Sequence, residues 1–132
     1  MTVISLPFPP TTNNLYLNAK GKGRIPTPRY KAWQVQALWD IRIQRAKPVA
    51  GQVHVHIRLV APDKRRRDAD NTFKAVLDAL AKGNVIEDDS SAYVRRLSTE
   101  WADTGEPCIV TITPVAQAPE SAEITITGKG AK

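Results

Sequence analysis

With 132 residues, 42% of them hydrophobic, and a single cysteine, Cys108, the chain fits one small globular domain and excludes a disordered or disulfide-stapled one. No apolar run is long enough to span a bilayer and no signal peptide opens the sequence, so a cytoplasmic protein with no membrane partner is expected. The net charge of +6 is uneven: residues 1–67 carry 13 Lys/Arg and only two acids, Asp40 and Asp63, whereas residues 68–113 carry four Lys/Arg and nine acids, which makes the first half a surface for polyanions such as nucleic acid.

Residues 2–6, TVISL, read as a first strand, followed by PFPPTTNN, whose prolines and asparagines favour extended and turn conformations. NAKGKGRIP (18–26) is glycine-rich and basic, and is expected to be a mobile loop whose Lys20, Lys22 and Arg24 reach a phosphate backbone. The first helix starts from Thr27 as N-cap with Pro28 at its first position, and Pro48 is expected to end it. Tyr30, Trp33, Ala37, Leu38 and Ile41 fall on one face, which assigns Trp33 to packing rather than base stacking.

VHVHIRLV (53–60) alternates strictly, with Val53, Val55, Ile57 and Leu59 on one face and His54, His56 and Arg58 on the other. Two histidines two residues apart could grip zinc, but no third histidine completes the site, so a solvated or DNA-facing strand surface is the better reading. The second helix is marked by Phe73, Val76, Leu77 and Leu80 at i, i+3, i+4, i+7, with Asp68 or Asp70 available as its cap and Lys82–Gly83 as its C-terminal signal. NVIEDDSSA then forms a turn. YVRRLSTEW (93–101) and CIVTITP (108–114) read as strands paired in a hairpin across DTGEP. From Pro114 to residue 132 a flexible tail is expected, within which EITIT could add a strand. The order β-α-β-α-β-β predicts an α/β (α+β) domain over residues 1–113, built on a mixed sheet with two main helices.

The densest chemistry lies in KRRRDADNTFK (64–74). In extended chain Asp68 and Asp70 point to the same side, about 7 Å apart at the backbone, close enough for both carboxylates to reach one hard cation. Glu87, Asp88 or Asp89 can supply a third oxygen ligand, provided that the strand after them lies beside the strand before Asp68. Lys74 lies one helical turn beyond Asp70, where it could position the carboxylates or neutralise a phosphate, and Asn71 could orient a phosphate oxygen. Taken singly, these are ordinary features: caps, an i,i+4 pair, a solvated acidic turn and a solvated basic run. Together they suggest a site that attracts an anion and holds a cation, as metal-dependent phosphodiester chemistry requires.

In order and spacing these segments resemble the RusA-type Holliday junction endonucleases of bacteria and their phages. The family pattern D-x-D-N-x-x-K-x-x-x-D-A-L, followed after a short gap by D-D-S, is matched by DADNTFKAVLDAL (68–80) and EDDSS (87–91). LPFPPTTNN (6–14) resembles the family's opening, and the likeness covers about residues 4 to 113. The resemblance implies a RusA-like fold and a Mg²⁺ site (Mn²⁺ possible) made by Asp68, Asp70 and Asp89, with Asp88 as neighbouring or alternative ligand. It implies a catalytic role for Lys74 and no organic cofactor. The implied reaction is hydrolysis of four-way junction DNA by paired symmetric nicks, leaving 5′-phosphate and 3′-hydroxyl ends, in recombination and repair. Lys64, Arg65, Arg66, Arg67, Arg95, Arg96 and the loop cations would hold the flanking DNA. A homodimer would present one site to each cut strand, with the Tyr30/Trp33 helix or the C-terminal hairpin as its interface. Two other readings remain open: a less selective branched- or flap-DNA nuclease, and a basic DNA- or RNA-binding module that does not cut.

Overall fold

The alternation in VHVHIRLV builds the centre of the molecule. In the computed structural model, which describes residues 1–64 and 72–117, it forms strand β4 (Val53–Val60), the fourth after β1 (Thr2–Leu6), β2 (Tyr16–Ala19) and β3 (Gly23–Pro26). Helix α1 (Pro28–Ile43) precedes it, and α2 (Phe73–Lys82), β5 (Val94–Ala102) and β6 (Cys108–Pro114) follow. The main sheet runs β1-β6-β4-β5, with β4 parallel to β5 and antiparallel to β6, and β6 antiparallel to β1. It is the mixed sheet expected from the sequence.

Register explains the core. Ile4 faces Val110 and Val110 faces Ile57; Leu6 faces Cys108 and Cys108 faces Leu59. Each row crosses three strands on one face, and every residue in it is buried. Val76, Leu80 and Ala75 of α2 and Tyr30, Trp33, Ala37 and Ile41 of α1 complete the same cluster. Each such large apolar side chain contributes roughly 1.5–3 kcal/mol by leaving water. Trp33 packs as expected: it is 7% exposed and its indole N–H donates to the Pro7 carbonyl at 3.0 Å.

Four expectations are corrected. The basic segment 18–26 is not a loop: Asn18 and Ala19 close β2, Gly23 to Pro26 form β3, and the two strands pair as an antiparallel hairpin around Lys20–Lys22. Gly21 and Gly23 take φ of 76° and 70°, so the glycines that looked like flexibility are the residues that let the turn close. The strands after α2 do not pair with each other: β4 lies between β5 and β6, so the expected hairpin across DTGEP does not form. Helix α1 stops at Ile43, before Pro48, because Arg45 takes φ 54° and the Gln44 amide turns to β1. There Gln44 accepts from Ser5 N–H at 2.8 Å and donates to Ser5 C=O at 2.7 Å, occupying the open edge of that strand. Finally, the N-cap position of α2 is held by Thr72, not Asp68 or Asp70.

The remaining helix signals fall as predicted. Thr27 Oγ1 accepts from Tyr30 N–H at 3.1 Å, with Pro28 beginning α1, and Gly83 caps α2. The EITIT segment and the rest of the chain beyond Gln117 lie outside the described residues. Among the described residues no helix is long and apolar enough to cross a membrane.

Candidate active site

The parallel pairing of β4 with β5 meets the condition set by the sequence, because the acidic turn leads directly into the strand that neighbours β4. Between these strands runs α2. Its inner face is apolar; Lys74 and Asp78, one turn apart, stand at its edge, with Lys74 Nζ 3.8 Å from Asp78 Oδ1. The other oxygen of that carboxylate, Oδ2, accepts from the Tyr30 hydroxyl of α1 at 2.9 Å. Tyr30 is fully buried. Burial, then the bond to Asp78 and its charge, raise the Tyr30 hydroxyl well above its ordinary range, so it stays a neutral donor.

The three consecutive acids separate. Glu87 accepts a short hydrogen bond from the Gly51 backbone N–H and so ties the turn to the residues before β4. Asp88 is fully exposed and engaged within the turn: the Ser90 side chain, then the Asp89 backbone, hold its carboxyl below the usual range. Asp89 is partly buried and hydrogen-bonded to Asp78. Its carboxyl is pushed up by burial first, next by that bond and the charge on Asp78, and then by Asp88. Two carboxyl groups forced together are relieved by a shared proton or by a cation.

The basic groups divide by location. Lys20, Lys22 and Arg24 are exposed on the β2–β3 hairpin. The hairpin stands near the carboxylate cluster, because the Tyr16 ring meets Tyr30 edge-on at 5.7 Å and the Arg24 guanidinium covers Tyr16 at 4.7 Å. Arg95 sits where the β4–β5 register slips and donates to the Ser91 carbonyl at 2.8 Å, folded back over the acidic turn. Arg96 pairs with His54, on the sheet face opposite the core. On that same face the His56 ring lies 2.6 Å from Ser98 Oγ and 2.7 Å from a Glu100 carboxylate oxygen, so both its nitrogens are already engaged. Lys64 is exposed at the end of the described segment. Arg65, Arg66, Arg67, Asp68, Asp70 and Asn71 lie outside the described residues.

Sequence reasoning passed over Tyr30 and Asp78 as members of the site. Tyr30 lies inside an apolar stripe, and Asp78 is marked only by its place as the aspartate of D-A-L in the family pattern, four residues after Lys74. Among the described residues no three acids, histidines or cysteines gather closely enough to enclose a metal. Asp89 does present a hard oxygen crowded by a second carboxyl, which is the donor chemistry that Mg²⁺ takes, so the described part fits such an ion as one side of a site.

The fold and the cluster thus define a small α/β protein with a carboxylate–lysine centre beside a basic hairpin. The family model for Endodeoxyribonuclease RusA matches residues 7–113. The chain is 33% identical over 89 residues to the crossover junction endodeoxyribonuclease RusA of Aquifex aeolicus, covering 67% of this chain and 69% of that protein. It is 33% identical to the protein of the same name from Shigella sonnei and 32% identical to that of Enterobacteria phage 82, in both cases covering 83% of this chain and 92% of the relative. The chain belongs to the RusA endodeoxyribonuclease family.

Proposed function

We propose that this protein is a crossover junction endodeoxyribonuclease that resolves four-way DNA junctions by paired nicks, acting as a cytoplasmic homodimer in recombination and repair. The observation that carries this reading is the convergence of Asp89, Asp78 and Lys74 in a chain that belongs to the RusA family over most of its length.

Asp68, Asp70 and Asp89 would hold the divalent ion. When bound, Mg²⁺, or Mn²⁺ in its place, supplies Lewis-acid activation of water and of the scissile phosphate. Lys74, half-exposed beside Asp78, would neutralise charge that develops on the phosphate. Exposed Lys20, Lys22 and Arg24 on the hairpin, with Lys64 and Arg65–Arg67, would bind backbone phosphates on either side, which makes affinity fall with salt. Arg95 gives one N–H to Ser91 and keeps its other guanidinium donors for a phosphate. Arg96, on the opposite sheet face, is better suited to a distant arm of the junction than to the cut phosphate.

A synthetic four-way junction, tested with and without Mg²⁺, decides the matter. Symmetric paired nicks near the crossover are expected. Equal cutting of flaps and simple forks would indicate a less selective nuclease, and binding without cleavage under any divalent ion would sink both enzyme readings. Asp70→Asn is expected to abolish cutting and to keep or tighten junction binding, since it removes a negative charge near phosphate; normal cutting by that variant would overturn the metal assignment.

A further inference from the structure

The mechanism above leaves two polar groups unused at its centre, and both touch the groups it does use. The Asp78 carboxylate lies between two helices. One oxygen takes the Tyr30 hydroxyl at 2.9 Å, the other faces Lys74 Nζ at 3.8 Å, and Asp89 hydrogen-bonds to the same carboxyl. Tyr30 has no solvent-exposed surface, while Lys74 is 48% exposed on its side chain and Asp78 only 17%. A long lysine with that much freedom has many rotamers, and a turn residue such as Asp89 has no helix to fix it. A carboxylate held rigidly from behind gives both a fixed reference.

We infer that Tyr30 and Asp78 are positioning residues, with Tyr30 of α1 fixing the Asp78 carboxylate and that carboxylate orienting Lys74 and Asp89 for the junction-cutting reaction. This rests on the proposed function. Neither residue need touch DNA or the reacting phosphate. Their position resembles that of the outer hydrogen-bond partners of metal ligands, whose loss commonly lowers metal affinity or activity 10- to 100-fold. The link also joins the hairpin to the site, since Tyr16 rests on the Tyr30 ring.

The test uses the full chain with Tyr30→Phe, Asp78→Asn and a control, Thr27→Ala. The control removes the α1 cap, which meets Tyr30 only at its backbone N–H and leaves the Tyr30 hydroxyl and the Asp78, Lys74 and Asp89 side chains in place. Three quantities are read: Mn²⁺ binding to the DNA-free protein by electron paramagnetic resonance, junction affinity in EDTA, and single-turnover cleavage against Mg²⁺ concentration. Tyr30→Phe and Asp78→Asn should each weaken Mn²⁺ binding and slow cleavage by roughly 10- to 100-fold while junction affinity in EDTA stays at the wild-type level. Thr27→Ala should lower Tm and leave the metal response unchanged. Wild-type metal binding and cleavage in Tyr30→Phe would overturn the inference, whatever its Tm, and so would an equal loss in Thr27→Ala. If Tyr30→Phe does not fold, Asp78→Asn alone decides, because its site is partly solvent-exposed. A wild-type protein that fails to cut junctions would defeat the proposed function instead, and Mn²⁺ binding in the variants would still report on the positioning role.

Discussion

Glu87, Asp88 and Asp89 share one turn and meet three environments: a backbone N–H of Gly51, a local bond to Ser90 in open solvent, and the carboxyl of Asp78. The proposed metal would favour the third kind, where burial and a neighbouring acid make an added positive charge most welcome. Asp89→Asn is therefore expected to slow junction cleavage by about 100-fold or more while binding in EDTA persists, as for loss of a group acting on transition-state charge. Asp88→Asn should cut at close to the wild-type rate in the same single-turnover assay. Equal damage from both would mean that the turn presents Asp88 to the metal. Cys108 makes the contrasting case. It is buried in the Leu6–Leu59 row, and burial pushes its thiol from the ordinary 9.0 up to about 12. The folded state thus keeps a proton that the unfolded chain loses, so this contribution to stability is complete below about pH 9 and declines as pH rises toward 12. Alkylation at pH 8 should be slow in the native protein and fast in denaturant. Rapid labelling without unfolding would show the β1–β6–β4 rows to be open.

At the scale of elements, the β2–β3 hairpin offers the clearest functional prediction. Lys20 and Lys22 project from a turn anchored by Tyr16 on Tyr30, so they meet DNA from a fixed base. Replacing both with Glu should weaken junction binding and reduce the slope of log affinity against log salt by about one for each phosphate that is no longer neutralised, with single-turnover cleavage at saturation little changed. An unchanged salt slope would remove the hairpin from the DNA interface. Local periodicity made most elements legible: the 3.6-residue stripes of α1 and α2 and the two-residue alternation of β4 and β6 each declare a buried face. Pairing was less legible, because β5 and β6 offer similar alternating patterns and nothing local says that β4 inserts between them. Gly21 and Gly23 concealed the hairpin for a related reason, since composition alone does not separate a closed turn from a loose loop. The candidate site was legible where chemistry clusters in sequence, at Lys74 and the acidic turn. Tyr30 joins it only through packing of α1 against α2, a long-range contact with no local trace.

Considered as a whole, the molecule has a helix with two apolar sides. The inner side of α1 carries Tyr30, Trp33, Ala37 and Ile41 and is already interior, so an interface on the Tyr30/Trp33 helix would use its outer side. The outer side carries Val35, Trp39 and Ile43 at 70%, 56% and 59% exposure, four residues apart and therefore in one stripe. An exposed tryptophan between two branched aliphatics is the composition of an interface centre rather than of a solvated helix. The proposed homodimer needs such a surface. A four-way junction has approximate two-fold symmetry, each protomer carries one Asp89–Lys74 centre, and an isologous contact is the simplest way to deliver two centres to two strands. If α1 forms that contact, Trp39→Lys buries a charge at its centre and should cost at least about 2 kcal/mol, equivalent to a roughly 30-fold weaker dimer. Sedimentation should then show the wild type as a dimer at micromolar concentration and Trp39→Lys dissociating toward monomer with its fold intact. The same variant should nick junctions singly instead of cutting both strands within one binding event, because its own Asp89 and Lys74 are untouched. A Trp39→Lys protein that stays dimeric and still makes paired cuts would move the interface to another surface.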